Sequence, residues 1–517
     1  MSALHTDSVL QELINQFSDP MAFLRELIQN AIDAGSQEVF VRTEYLDGVF
    51  KIFVEDFGEG MTRDIIENKL TRLFSSTKED DLTQIGRFGI GFVSVFAIEP
   101  DLVVLDTGRG GEYWRVLFHP NRSYELIRLQ HPVEGTQIQL LKRVDAKAAK
   151  EMEARVREVT KAWCRHVAVP IYFDSEDIRD PFDVPSLVKV TYEEEGTRLV
   201  AGYDDDEYSP AAGFYNRGLT LSEAASKIPF VTFKIDSRYL EHTLTRDQIL
   251  EDKHFHKVQA LLRDVEKKQL PAQLFARLEA FARAPDSSPQ GIKDYQSLAK
   301  ILTNLSRTFR DFWDKWDDRE IFPTRGGQPL SFSQVQKLWR RGRVYFTHGS
   351  GHISEYVDKA ELLLHPNLFN SLFEFRKIQI PSLEASFVFP RALAQIPAPF
   401  SSLNTVLTQL YPKTDFRLAT FDYPGSAVVS EVAVGFKKLE PLEYTEFKKN
   451  QAQMPMESKI CVLNLAHKVV QDTLARAETA PEWAAYLLVK YIGVPRGWSI
   501  KADNELLLTC TLKKTGG

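Results

Sequence analysis

Cysteine is scarce. Cys164, Cys461 and Cys510 are the three in 517 residues, odd in number and far apart. That pattern fits neither a disulfide frame nor a thiolate metal site, and it suits a reducing cytoplasm. Long apolar runs are missing too, none approaching the roughly 18 residues a membrane helix needs. The opening stretch MSALHTDSVLQELINQF has no basic flank and no long apolar core, so no signal peptide is expected there. Positive charge is not in excess either. A net charge of −7 gives no global attraction for nucleic acid, and no membrane partner is expected. Lys337, Arg340, Arg341 and Arg343 cluster around Trp339 and could hold phosphates. Positive charge also favours the end of a helix, which is the simpler reading. The sequence carries no internal repeat and no low-complexity tract.

What is present is an ordinary globular composition, 43% hydrophobic and 26% charged. The length exceeds one core, so about two to four domains are expected. Residues 1 to about 170 alternate helices and strands, and the polar, proline-closed stretch 174–181 reads as a boundary. Residues 187–192 and 231–235 read as strands, with a solvated acidic turn at 204–207 between them. Proline-rich junctions follow at 285–289 and 396–399. Beyond them, strands are expected at 427–436 and 460–465, with a helix over 481–491. The resulting division is 1–175, 183–285, 290–395 and 400–517.

Chemistry concentrates near the start. Leu24, Leu27, Ile28 and Ala31 repeat at helical spacing over residues 21–34, and Gly35 stands where a left-handed helix stop belongs. Glu26, Asn30 and Asp33 then share one face. Glu26 and Asn30 are one turn apart, roughly 6 Å along the axis. That spacing suits a carboxylate polarising a water and an amide oxygen on Mg²⁺, although an amphipathic helix with a solvated polar face has the same pattern. Next, residues 38–45 and 49–55 are β-rich and flank Asp47-Gly48, a hairpin signal. The second strand ends in Asp56-Phe-Gly58-Glu-Gly60-Met61. An aspartate there can accept from the adenine amine, and glycines let the base approach the backbone. Ordinary turns also use these residues. A glycine-rich segment, Gly86-Arg87-Phe88-Gly89-Ile90-Gly91-Phe92, precedes the apolar run 93–98, which can begin a buried helix. Its amides and the helix start suit phosphates, and the polar segment 75–78 just before it could fold over a nucleotide. Finally Gly135-Thr136 opens a strand over 137–141 and offers a hydroxyl.

These four elements, in this order, resemble the GHKL ATPases, and their wording is most similar to the heat-shock protein 90 family, including its bacterial members. The resemblance implies an α/β (α+β) fold: a Bergerat-type ATP-binding α/β sandwich, a ribosomal-protein-S5-like middle domain, a smaller middle lobe and a mixed α/β C-terminal region. It implies ATP and Mg²⁺ as cofactors, with Glu26 as general base, Asn30 on the metal, Asp56 and Thr136 on adenine, and Asp33, Gly58, Gly60, Met61 and Gly86 to Phe92 around the nucleotide. Residues 244–250 resemble the segment that carries the family's catalytic arginine, which would be Arg246, reaching the terminal phosphate from the second domain. A capped surface helix start would leave the same pattern. The family further implies client or partner proteins and a homodimer clamped by residues 400–517, where Trp483, Leu487 and Tyr491 recur at helical spacing.

Three other readings compete with this one. An ATP-gated switch subunit of a stress or defence assembly, without client folding, fits the same motifs. A MutL-like repair ATPase shares Asp33-Ala-Gly35 but differs in its lid. A histidine kinase would need a phosphoacceptor domain ahead of residue 20. His348 and His352, lacking a third ligand, read as surface imidazoles on a glycine turn.

Overall fold

The computed structural model describes residues 19–71, 90–194, 196–204, 210–241, 249–309, 312, 315–347, 361–363, 370–437, 445–446 and 454–512. The chain divides into two compact units, Met1–Leu274 and Phe275–Gly517. It is a mixed α/β protein with one large mixed sheet.

In the first unit, the Asp19 side chain accepts from the Met21 amide at 2.9 Å, capping a short turn ahead of helix α1 (Phe23–Asp33). Its apolar face, Phe23, Leu24, Leu27, Ile28 and Ala31, is buried, as the spacing implied. Gly35 ends the helix at φ +80°, a conformation that costs glycine little. Strands β1 (Val39–Leu46) and β2 (Val49–Asp56) follow. Asp47 and Gly48 between them both have positive φ, 50° and 79°, the twist a two-residue hairpin needs. The apolar run after the glycine-rich segment is a short α2 (Ile90–Val93) that tightens into a 3₁₀ turn over Ser94–Ile98, so the buried helix expected there is brief. Strands β3 (Leu102–Arg109), β4 (Glu112–Phe118), β5 (Tyr124–Arg128) and β6 (Thr136–Arg143) lead to α3 (Ala146–Cys164), whose N-cap is Asp145. Two short strands, β7 (Ile171–Phe173) and β8 (Glu176–Asp177), complete an eight-stranded sheet among the described residues, in the order β5-β4-β3-β6-β2-β1-β7-β8.

Alternate residues of this sheet, among them Val41, Ile52, Val54, Val103, Leu105, Val116, Ile138 and Leu140, join α1 and α3 in one core. The period-two pattern makes this a single sheet face. The same face continues, at the end of the strands, into a row of three polar residues. Asp56 pairs with Thr136, and Thr136 with Thr107.

A second sheet follows, order β12-β11-β13-β10-β9, made of β9 (Lys189–Glu194), β10 (Thr197–Tyr203), β11 (Ala211–Asn216), β12 (Leu219–Ala225) and β13 (Val231–Ser237). Strands β11 and β13 run parallel and the other neighbours antiparallel. Helix α4 (Lys253–Asp264), capped by Asp252, comes next.

The second unit contains α5 (Pro289–Thr308), capped by Ser288 inside the expected junction, and α6 (Phe332–Arg340). Lys337 and Arg340 occupy the last turn of α6, so two of the clustered cations do end a helix. Farther on, β14 (Asp415–Ala419), β15 (Ala433–Phe436) and β16 (Ile460–Asn464) form a sheet in the order β14-β16-β15. The strand expected over 427–436 is thus cut to its last four residues. Asn464 explains this: its side-chain amide donates to the carbonyls of Val429 and Glu431, both at 3.1 Å, holding that stretch in a turn. Helices α7 (Pro399–Leu410), α8 (Lys468–Ala477) and α9 (Pro481–Gly493) share the core of this sheet. Helix α10 (Ile500–Leu512) is tied to α9 through Asp503, which accepts from the Tyr486 hydroxyl at 3.0 Å and from Lys490 Nζ at 2.8 Å.

Among the described residues no helix is long and apolar enough to cross a membrane. Residues 75–78, 86–89, 205–207, 246, 348, 352 and 513–517, which carried several expectations, lie outside the described residues.

Candidate functional site

The site grows from the junction between α1 and the end of β2. Ala34 and Ser36, just past α1, stitch the two together. The Ala34 carbonyl accepts from the Glu59 amide at 3.0 Å, and the Ser36 hydroxyl accepts from the Phe57 amide at 2.9 Å. Gly58 sits directly against this helix end, where a Cβ would come within 2.7 Å of the Ala34 Cβ. Gly60 (φ +65°) leaves still less room, because a Cβ there would meet the Gly108 carbonyl oxygen at 2.1 Å. The two glycines are therefore required by packing in the protein itself.

Asp56 is partly buried. Its Oδ1 accepts from the Gly58 amide at 2.8 Å. Burial pushes its carboxyl above the usual value, while the Gly58 and Thr136 amides oppose that shift by bonding the charged form. The Thr136 hydroxyl lies 3.2 Å from that of Thr107. Thr107, fully buried, donates to the Gly135 carbonyl at 3.0 Å and accepts from the Met61 amide at 2.9 Å. Asp56, Met61, Thr136 and the glycines thus form one connected floor. Thr107 is the keystone that motif reasoning missed; the only signal was its place in an apolar strand register opposite Thr136.

Glu26 lies on the same helix, buried, with Gly91 against it: a Cβ at 91 would sit 2.6 Å from Glu26 Oε2. The turn that carries Gly91 is closed by Ser94, whose hydroxyl donates to the Gly91 carbonyl. Beneath Glu26 is the fully buried Arg25, its Nε 3.7 Å from Glu26 Oε1 and its guanidinium 4.1 Å from the centre of the Trp163 ring. Neither Arg25 nor Trp163 was singled out from sequence. A buried cation beside a buried carboxylate keeps the latter's charge compensated. Asn30 and Asp33 are both exposed on the same helix. Phe92 is buried in the core, and Ile90 opens α2.

The structure joins Asp56, Gly58, Gly60, Met61 and Thr136 in one floor and sets Gly91 against Glu26, with Asn30 and Asp33 on the same helix as Glu26. Gly86, Arg87, Phe88, Gly89 and Arg246 lie outside the described residues. The groups present fit an adenine nucleotide: a held carboxylate at a strand end, side-chain-free backbone beside it, and a polar helix face. Among the described residues no cluster of three or more His, Cys, Asp or Glu could hold a metal ion. A lone amide such as Asn30 instead fits a metal that arrives already bound to phosphates.

Residues 20–128 match the family of histidine kinase-, DNA gyrase B- and HSP90-like ATPases. This segment is of the GHKL type, and the chain resembles the heat-shock protein 90 branch of that superfamily. Chaperone protein HtpG of Chlorobaculum tepidum is 22% identical over 88% of this chain and 87% of its own length. That of Chlorobium phaeobacteroides is 23% identical over 90% and 88%. The HtpG of Rhodospirillum rubrum reaches 32% identity, over 31% of this chain and 30% of its own length. Similarity to HtpG is thus spread thinly along the chain and is denser over a shorter stretch. The matched segment holds Asp56, Gly58, Gly60, Met61 and Thr107 of the floor, and Thr136 lies just beyond it.

Proposed function

We propose that this protein is an HSP90-like, ATP-hydrolysing chaperone of the cytoplasm that works as a homodimer on client proteins. The observation that carries the ATPase reading is the arrangement of Glu26 and Asp56: one buried carboxylate beside the glycine-rich turn, one held carboxylate at the floor. Asp56 accepts from the adenine amine, with the Thr136 hydroxyl beside it. Glu26, with the buried Arg25 guanidinium beside it, orients a water and takes its proton. Asn30 holds Mg²⁺, which neutralises phosphate charge when bound. Amides of the segment Gly86 to Phe92 receive the phosphates, and Arg246 adds a cation at the terminal phosphate. The overall similarity to HtpG proteins supports a chaperone rather than a repair or kinase role.

Dimerisation is supported by the outward face of the C-terminal helices. Trp483, Tyr491, Val494, Ile500 and Leu508 are large, apolar and exposed, whereas Ala484, Ala485, Leu488, Val489 and Ile492 of the same region fill the core. A second copy covering that face would bring two nucleotide domains into one assembly and let their turnover be coupled.

Glu26→Ala tests the catalytic reading. Mg·ATP binding by calorimetry should stay near the wild-type value, while phosphate release should fall at least about tenfold, general-base losses being typically about 10²–10⁴-fold. Unchanged turnover would remove Glu26 from the chemistry.

A further inference from the structure

One ion pair joins the second sheet to the helix of the nucleotide site. At the tip of the β11–β12 hairpin, Arg217 Nη1 lies 2.7 Å from Oδ1 of Asp33. Both belong to the first unit. Asp33 is the last residue of α1, and the last turn of that helix carries no basic residue. A carboxylate there sits against the negative end of the helix dipole, an unfavourable place for it. Arg217 supplies the missing cation from elsewhere in the chain.

The hairpin is built to deliver it. Arg217 and Gly218 have φ of 52° and 82°, the two left-handed positions of a tight hairpin turn. Gly218 cannot carry a side chain, since a Cβ would lie 2.3 Å from the His166 carbonyl oxygen. Its amide donates to Asp236 Oδ1 at 3.1 Å. Arg198 grips both sides, donating to Asp236 Oδ2 at 3.0 Å and to the His166 carbonyl at 2.9 Å. Leu219 enters the core of the large sheet, and the Thr220 hydroxyl donates to the Ala162 carbonyl at 2.7 Å. The tip is therefore fixed against the end of α3, and Arg217 projects from a rigid base.

We propose that Arg217 is a positioning residue for the nucleotide site, neutralising Asp33 so that α1 can accept a polyphosphate. This rests on the reading of the site as an ATP site. Asp33 is one helical turn beyond Asn30, so a bare carboxylate there adds negative charge close to where phosphates and their metal are expected. Removing Arg217 should weaken binding in proportion to ligand charge.

The test is calorimetry on the full chain with Mg·ATP and with adenosine as an uncharged probe. Arg217 already carries a Cβ at its positive φ, so Arg217→Ala adds no backbone strain. Arg217→Ala should weaken Mg·ATP binding about three- to tenfold, the scale of a charge effect in a high-dielectric setting. Arg217→Glu should weaken it further, and Arg217→Lys should stay within about twofold of wild type. The loss should shrink as salt rises from about 0.05 to about 0.5 M, and adenosine affinity should not change in any variant. Equal losses for Mg·ATP and adenosine would overturn the inference by assigning Arg217 a merely structural part. Wild-type Mg·ATP affinity in Arg217→Ala would overturn it alone, whereas a wild-type chain that binds no ATP would overturn the reading of the site and this inference with it.

Discussion

The backbone of Gly91 lies against the carboxylate of Glu26, close enough that a Cβ at 91 would come within 2.6 Å of Oε2. The atom in the way is the end of a flexible side chain, so the fold can yield while the carboxylate cannot keep its place. Gly91→Ala should therefore melt within a few degrees of wild type, helped by the better helix propensity of alanine. Its ATP turnover should drop about tenfold or more, as expected when a catalytic group is displaced by about an ångström. Steady-state phosphate release alongside a thermal melt checks both halves.

His166 makes the first unit sensitive to acid. Its Nδ1 is 3.0 Å from the Asp180 carbonyl, and its ring packs edge-on against Tyr215 and Phe182. Among the described residues its buried Nε2 has no hydrogen-bond partner. Burial lowers its pKa below the usual 6.5, despite the opposing carbonyl contact. The unfolded chain therefore binds the proton first. The contribution to stability is complete above about pH 6.5 and is lost as pH falls toward the lower folded value. Urea unfolding between pH 5 and 7 should show wild type losing stability with acid more steeply than His166→Gln.

The outward apolar face of α9 and α10 should hold two chains together. Trp483 is 43% exposed, Tyr491 52% and Ile500 81%, and aromatic residues are enriched in interfaces. Analytical ultracentrifugation should find the wild type dimeric at micromolar concentration. Trp483→Glu combined with Tyr491→Glu should be monomeric with an unchanged far-ultraviolet spectrum, because both side chains are exposed. A wild-type monomer, or a dimer in the double variant, would place the interface elsewhere.

Much of this was legible in the sequence because it depended on local spacing. The apolar period of α1, the Asp47-Gly48 turn and the strand leading to Asp56 each follow from a few neighbouring residues. Long-range partners were not legible. Thr107 reads as one more residue of an apolar strand until β3 is placed beside β6, and Trp163 as a helix aromatic until α3 reaches Arg25. The strand expected at 427–436 failed for a similar reason, since Asn464, distant in sequence, holds residues 429 and 431 in a turn. The outward stripe of Trp483 and Tyr491 was visible as a periodicity, but only the packed core of α9 tells which face it occupies.

The most direct measurement is calorimetric titration of Mg·ATP into the wild-type chain and into Asp56→Asn. An amide offers one acceptor oxygen where the carboxylate offers two, and the Gly58 and Thr136 amides already compete for it. The wild type should bind one nucleotide per chain, and Asp56→Asn should lose at least about tenfold in affinity, the cost of an unmatched polar group in a partly buried site. Equal affinity in the two chains, or no binding by the wild type, would contradict the assignment of this floor to adenine.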